Sequence, residues 1–365
     1  MSSIADAVQI LRVKGLKVTF HTYAGDVKAL DGVELAVRKG EILGLVGESG
    51  CGKSVTSLSI VGLLPPNAKV DDGEVLLGET NLLGMSKEGL RKVRLSDIAM
   101  VFQDPMTYLN PVLTVGSQIQ EVLEQEPDIF VPLMAKSMLE DAQTQEGALP
   151  KMKLEEMAAT GRAGRKDRRT LARAYVLKML REVRLPEPER IFKLYPFELS
   201  GGMRQRAMIA MALVRRPKLL IADEMTTALD VTVQAQILQL LKELRTEIDA
   251  SVLLITHDLG VVAEVCDRVA VMYAGNVVEV ADAEDLFADP LHPYTQGLLA
   301  SVPRVDSEVR ERPSISGSVP NLIYPPSGCR FHPRCPKAFE KCPQTKPLLI
   351  EPKPGHLVAC LLFEK

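Results

Sequence analysis

The run EILGLVGESGCGKSVTSLSIVGLL, residues 41–64, decides the fold. Its opening is apolar almost without interruption, the pattern of a strand buried on both faces of a parallel sheet. It then breaks into glycines at Gly47, Gly50 and Gly52 and continues as a helix-like stretch. A strand, a glycine turn and a helix in that order leave backbone N–H groups aimed at whatever sits over the helix start, and an anion is favoured there. Gly47, Gly52, Lys53 and Ser54 match the Walker A phosphate-loop pattern. In that pattern the backbone of the intervening positions, here Glu48, Ser49, Gly50 and Cys51 with Val55 beyond them, closes around phosphate oxygens. Lys53 is placed to neutralise the β and γ phosphates and the Ser54 hydroxyl to bind Mg2+. The expected ligand is ATP.

Two further apolar runs, LLIADE (residues 219–224) and SVLLITHD (251–258), read as buried strands of the same sheet, with the helical spacing of VTVQAQILQLLKELRTE between them. Asp223 ends the first run, where a carboxylate emerges beside the phosphates and can hold the magnesium shell. Glu224 follows and is the candidate general base for the attacking water. Ahead of residue 41, LKVTF and VELAV alternate as strands of a small antiparallel sheet. Between about 104 and 200 strand signals vanish, and LARAYVLKMLREVRL reads as an amphipathic helix, so a helical subdomain is inserted into the sheet domain. Within it, LSGGMRQR (199–206) supplies Ser200, Gly201 and Gly202 at a helix start. That is a second anion cradle in a chain that already has one, and capping the γ phosphate held by a facing subunit explains it.

Composition narrows the classes. The chain has 365 residues, 46% of them apolar, enough for a large core and two or three units. A net charge of −3 with interspersed signs gives no basic field for nucleic acid. No apolar run is long enough to span a bilayer and the amino terminus shows no cleavable leader, so the expected location is the cytosol, with any membrane contact made through another protein.

At these motifs the chain resembles the nucleotide-binding subunits of ABC transporters, from about residue 11 to 290. The resemblance implies an α/β P-loop NTPase of ABC type, with an antiparallel β subdomain, the inserted helical subdomain and a small Cys-rich C-terminal region. It divides the chain into a nucleotide-binding domain, 1–290, and a C-terminal region, 291–365. It also implies further roles. Gln103, in VFQDPMTYLNP, resembles the glutamine that touches the magnesium or water and senses the membrane partner. Asp230, in TTALD, resembles the residue that reaches across the dimer interface. His257, in LLITHD, resembles the histidine that contacts the γ phosphate. Tyr23 stands where the family places an aromatic ring to stack on adenine, with Phe20 close by.

GESGCGKS, QDPMTYLNPVLTVG, YPFELSGGMRQR and LHPYTQGLL, followed by a cysteine-rich tail, look like the dipeptide and oligopeptide importer ATPases. That branch implies ATP hydrolysis coupled to peptide import and a second, often nonidentical, ATPase subunit. It further implies two membrane-spanning permease subunits, an extracytoplasmic substrate-binding protein, and a peripheral position on the cytoplasmic face of the inner membrane. Nickel chelate and glutathione importers share these motifs. ABC ATPases acting on nucleic acid or ribosomes form a competing class, disfavoured by the absence of a second cassette or a long coiled coil.

Cys329, Cys335, Cys342 and Cys360 crowd the tail. Four thiolates can hold zinc or a four-iron four-sulfur (4Fe–4S) cluster, and spacing alone does not choose. There is no CxxC pair, and the spacing in this branch resembles that of members carrying the iron–sulfur cluster, with His332 and His356 as substitute ligands. Cys51 lies next to the nucleotide as a candidate site of alkylation. Met225 stands where the family usually has proline. An extended insertion, about 125–169, ends in GRAGRKDRR, read as a solvated, flexible run, with contact to anionic lipid as the sharper alternative.

Overall fold

A computed structural model describes residues 8–102, 108–140, 149–225, 230–301 and 315–364. In chain order its elements are β1 (Gln9–Thr22), β2 (Gly25–Arg38), β3 (Ile42–Val46), α1 (Lys53–Val61), β4 (Ala68–Leu77), β5 (Thr80–Asn81), α2 (Lys87–Ser96), β6 (Ile98–Val101), α3 (Val115–Glu124), α4 (Pro127–Glu140), α5 (Lys151–Thr160) and α6 (Arg165–Glu182). There follow α7 (Pro188–Ile191), α8 (Gly201–Leu213), β7 (Leu219–Asp223), α9 (Val231–Ile248), β8 (Ser251–Thr256), α10 (Leu259–Val265), β9 (Arg268–Tyr273), β10 (Asn276–Asp282), α11 (Ala283–Ala288), α12 (Pro293–Ala300), β11 (Ile350–Lys353) and β12 (His356–Val358). The chain divides into two compact units, Met1–Arg91 with Ile221–Glu224 and Ala250–Lys365, and Lys92–Leu220 with Met225–Asp249.

The first unit carries two sheets. One is antiparallel, in the order β2-β1-β4-β5. Its long strands shift register at glycines: Gly15 in β1 sits at φ 56°, and a Cβ on Gly73 in β4 would stand 2.6 Å from the Cα of Leu16. The bulges bend the strands and are possible because those positions carry no side chain. The other sheet runs β11-β12-β10-β9-β3-β8 and on to β7. β3 pairs in parallel with β8 on one side and β9 on the other, and every residue of these three strands is buried. The continuous apolar runs of the sequence follow from this, since a strand covered on both faces has no solvent side to alternate with. β3 is therefore interior, and the loop after it emerges at the carboxyl edge of the parallel strands.

The C-terminal residues pack within this first unit, where β12 pairs antiparallel with β10. Beyond β11 and β12 the described tail has one short 3-10 turn, His332–Arg334. It is held by point contacts. Cys329 N donates to Cys342 O at 2.8 Å, and Ser327 Oγ donates to Pro343 O at 2.7 Å. Phe331 packs against Tyr273 and Tyr294 with ring centroids 5.0 and 5.4 Å away.

The second unit is mostly helical. α6 turns Leu171, Ala172, Tyr175, Val176, Met179 and Leu180 inward, the expected amphipathic face. The basic run expected to be a flexible segment is ordered instead. Its second half is the first turn of α6, begun at Gly164 and joined to α5 by a 2.7 Å Lys153–Asp167 pair. The apolar period downstream carries the helix back through the charged residues. Arg162, Arg165, Lys166 and Arg169 nevertheless stay exposed. Among the described residues no helix is long and apolar enough to cross a membrane.

Candidate nucleotide-binding site

Residues 47–52 leave β3 as a tight glycine loop. A Cβ on Gly47 would lie 2.1 Å from the Met272 carbonyl oxygen, so nothing larger than glycine lets the loop start so close to β9. Gly52 caps α1 in the left-handed region at φ 109°, and no side chain caps the helix. The first N–H groups of α1 are thus left without a side-chain acceptor, which suits them to phosphate oxygens. Lys53 is almost wholly buried and donates to the carbonyls of Gly47 at 2.8 Å and Glu48 at 3.2 Å. Ser49, Gly50 and Ser54 are exposed, with Val55 half-buried beside them.

Asp223 ends β7 and is buried. Its Oδ1 accepts from Ser54 Oγ at 3.4 Å and its Oδ2 from Ser57 Oγ at 3.2 Å. Burial pushes its carboxyl above the usual range, and Glu224 adds to that, against the two hydroxyls and Lys53. A cation there reverses the penalty, so the pair of hard oxygens from Ser54 and Asp223 fits Mg2+. Ser57 was not singled out in the sequence, although it lies one helical turn from Ser54 on the same face.

Glu224 takes a left-handed backbone conformation, φ 47°, with its N–H bonded to Ile255 O at 2.9 Å. This turns its carboxylate toward His257, whose Nδ1 is 3.3 Å from Oε1. A carboxylate beside an exposed imidazole, one residue from a buried metal-type aspartate, can orient a water and take its proton. Tyr23 is fully exposed, so its ring is no part of the core. Gln103 lies outside the described residues.

In the second unit Ser200 caps α8, accepting from Met203 N at 3.4 Å. Ser200 and Gly201 are exposed. A Cβ on Gly202 would meet Val233 at 2.7 Å, so this glycine lets α8 approach α9. Asp230 caps α9 through a 3.0 Å bond from Val233 N. Met225 is buried.

The four tail cysteines line one small pocket together with His292, Phe331, His332, Leu361 and Leu362. Burial pushes the Cys329 and Cys335 thiols up and takes Cys360 to about 11. Among the described residues no three His, Cys, Asp or Glu side chains stand together as a ligand set for a metal ion, so the thiols share a pocket without being drawn in to one point. His356 does not substitute as a ligand. It is buried and held by Glu279 at 2.7 Å. His332 borders the pocket, with Nδ1 on Cys329 O at 2.9 Å. Cys51 is completely buried and its thiol is pushed up by that burial, so the expectation of an alkylation site fails: reagent cannot reach it and little thiolate exists to react.

A buried β3, an uncapped glycine-led α1 with its lysine, and a Ser–Asp–Glu–His arrangement define a P-loop nucleotide-hydrolase site. The ABC transporter family profile matches residues 30–227, and the profile for the oligopeptide/dipeptide transporter C-terminal region matches 278–342. The dipeptide transport ATP-binding protein DppD of Bacillus subtilis is 48% identical over 98% of this chain and 96% of its own length. The oligopeptide transport ATP-binding protein OppD of Escherichia coli is 46% identical over 98% and 93%. Among solved structures, cbiO1 from Clostridium perfringens, part of the ABC transporter complex cbiONQ, superposes with a TM-score of 0.57 at 26% identity, covering 77% of this chain and 92% of its own. A post-hydrolysis state of the ATP-binding cassette MJ0796, bound to ADP and Pi, gives 0.56 at 27%, covering 75% and 98%. The chain belongs to the ABC transporter family, in the branch of dipeptide and oligopeptide transport ATP-binding subunits.

Proposed function

We propose that this chain binds and hydrolyses ATP to drive the import of dipeptides or oligopeptides through membrane-spanning permease subunits. The observation that carries the cargo is the near full-length likeness to peptide transport ATP-binding proteins. Residues 1–290 serve as the nucleotide-binding domain and 291–365 as the C-terminal region of that branch. The loop of residues 47–55 wraps the phosphates, Lys53 neutralises them, and Tyr23 stacks on adenine. Ser54 and Asp223, with Gln103, would hold Mg2+, which would supply charge neutralisation for the phosphates. Glu224 takes the proton of the attacking water, and His257 orients it against the γ phosphate. Ser200, Gly201, Gly202 and Asp230 serve the nucleotide of a second ATPase subunit, identical or a sister. The complex sits peripherally on the inner face of the cytoplasmic membrane, and an extracytoplasmic binding protein delivers the peptide. Its test is transport by proteoliposomes carrying the complex. Peptide uptake that needs ATP supports the reading, while uptake of a nickel chelate or glutathione but no peptide replaces the cargo.

The tail supports a second element. Cys329, Cys335, Cys342 and Cys360 line one apolar-walled pocket, and they are the thiols that would have to draw together to hold a 4Fe–4S cluster. Such a cluster has a structural role here, because four protein thiolates leave no position open for substrate. Anaerobic purification with iron, sulfide and zinc analysis tests it. About four irons per chain, lost in Cys335→Ser, supports the cluster. Zinc alone, or no metal, removes it.

A further inference from the structure

The phosphate loop is tied to the cysteine-rich tail by a contact that its own motif does not require. Arg334 reaches Glu48, the second residue of the loop, with both prongs of its guanidinium: Nη1 to Oε2 at 2.7 Å and Nη2 to Oε1 at 3.1 Å. The arginine side chain is 6% exposed and the glutamate 28%. Behind them, Arg334 Nη1 lies 3.3 Å from the Tyr273 hydroxyl, and Nε donates to Ser316 O at 2.9 Å. The backbone of Glu48 is held as well. Its N–H donates to the Tyr294 hydroxyl at 3.0 Å, and its carbonyl accepts from Cys51 N and from Lys53 Nζ, both at 3.2 Å.

A second arginine approaches the loop from its other end. Arg330 donates to the carbonyls of Ala274 at 2.6 Å and Lys28 at 3.2 Å, while Gly275 N, the next residue on, donates to Cys51 O at 2.7 Å. Arg330 follows Cys329, and Arg334 precedes Cys335. Two of the four pocket cysteines thus have as neighbours Arg334, which grips the phosphate loop, and Arg330, which holds the residue before the one bonded to Cys51.

We propose that Arg334 is a positioning residue for the phosphate loop: by clamping Glu48 it links the loop's geometry, and with it the affinity for ATP, to the folding of the segment that carries Cys335. A two-pronged, largely buried ion pair fixes direction as well as distance, and losing one partner leaves the other charge poorly solvated. A loop already held in shape also loses less freedom when its N–H groups close on phosphate. This rests on the reading of residues 47–54 as the phosphate loop.

Equilibrium titration of the full chain with a fluorescent ATP analogue, below each variant's melting temperature, tests it. Arg334→Gln is expected to raise Kd about tenfold, the worth of a charge-assisted bond. Glu48→Gln is expected to match it, and the double variant to be no weaker than either, because one interaction has been removed once. Arg334→Lys, which restores one prong, recovers part of the affinity. Cys335→Ser raises Kd in the wild-type background and adds nothing in Glu48→Gln. Should Arg334→Gln fail to fold, Glu48→Gln alone still reads the clamp, since it leaves the tail residues unaltered. Kd within twofold of wild type for Glu48→Gln, or additive losses in the double variant, overturns the clamp. An unaltered Kd in Cys335→Ser overturns the link to the tail. Lys53→Ala separates the two readings: wild-type affinity there sinks the phosphate loop itself, whereas a loss of binding with Glu48→Gln unaffected sinks only the clamp.

Discussion

The glycine-led starts of α1 and α8 differ. α1 starts from a left-handed Gly52 with no side chain over its first N–H groups. Its first turn carries Lys53 and Ser54, and Asp223 stands 3.4 Å from the serine hydroxyl. α8 starts from Ser200 in an ordinary extended conformation, with that hydroxyl already accepting one N–H. Its first basic side chain, Arg204, turns back to Pro196 O at 2.9 Å. The first start has close to it a cationic side chain, Lys53, the buried carboxylate of Asp223, and Glu224, the group proposed as base. The second offers N–H groups and a hydroxyl, which suits the proposed role of serving a phosphate that another subunit brings.

The comparison can be broken most directly at Glu224. Glu224→Gln is expected to retain ATP binding and to lower turnover by about 10²–10⁴-fold, the range of a general base; a steady-state ATPase rate near wild type would remove Glu224 from the complete site. Ser200→Ala sharpens the other half. A plain helix cap predicts about 1 kcal/mol of lost stability and nothing else. A half-site predicts, in addition, severalfold slower hydrolysis by the assembled complex with the single chain's ATP affinity untouched. Measuring both quantities on one preparation separates the two.

The smallest effect concerns the bracing of the tail. Burial raises the Asp31 carboxyl, yet Lys346, at 2.9 Å, and Arg330, at 3.4 Å, hold it below its ordinary value. A lowered folded value means that the contribution is complete above the ordinary 3.8 and is lost as pH falls through the folded value. Asp31→Asn is expected to cost about 1 kcal/mol or less near neutral pH, given the partial exposure. The variant should also lose less of its melting temperature than wild type between pH 7 and pH 3, which differential scanning fluorimetry would show.

What the sequence made legible was local and contiguous. Residues 41–54, 219–224 and 251–257 each place a buried strand directly before its polar residues, so the strand and the chemistry are read in one pass. Ser57 escaped notice only because the motif ends at Ser54. The Arg334–Glu48 contact was not legible at all. Its partners lie far apart in sequence, and neither looks unusual among charged neighbours. The tail gave its cysteines but not their arrangement, because a segment held by single hydrogen bonds and ring contacts has no periodicity to read. His356 misled for a related reason: its partner Glu279 sits inside β10, an apolar strand where a buried carboxylate was not expected. The charged start of α6 misled in the opposite direction, since its order comes from the apolar face that follows it.

The left-handed backbone at Glu224 has one last implication. An L residue with a side chain pays roughly 1–2 kcal/mol to sit in that region, and glycine does not. Sequences ranked purely for thermal resistance would therefore favour Glu224→Gly, and the same screen would discard the group proposed to activate water. Engineering this protein for robustness without an activity filter thus carries a specific hazard at a single codon.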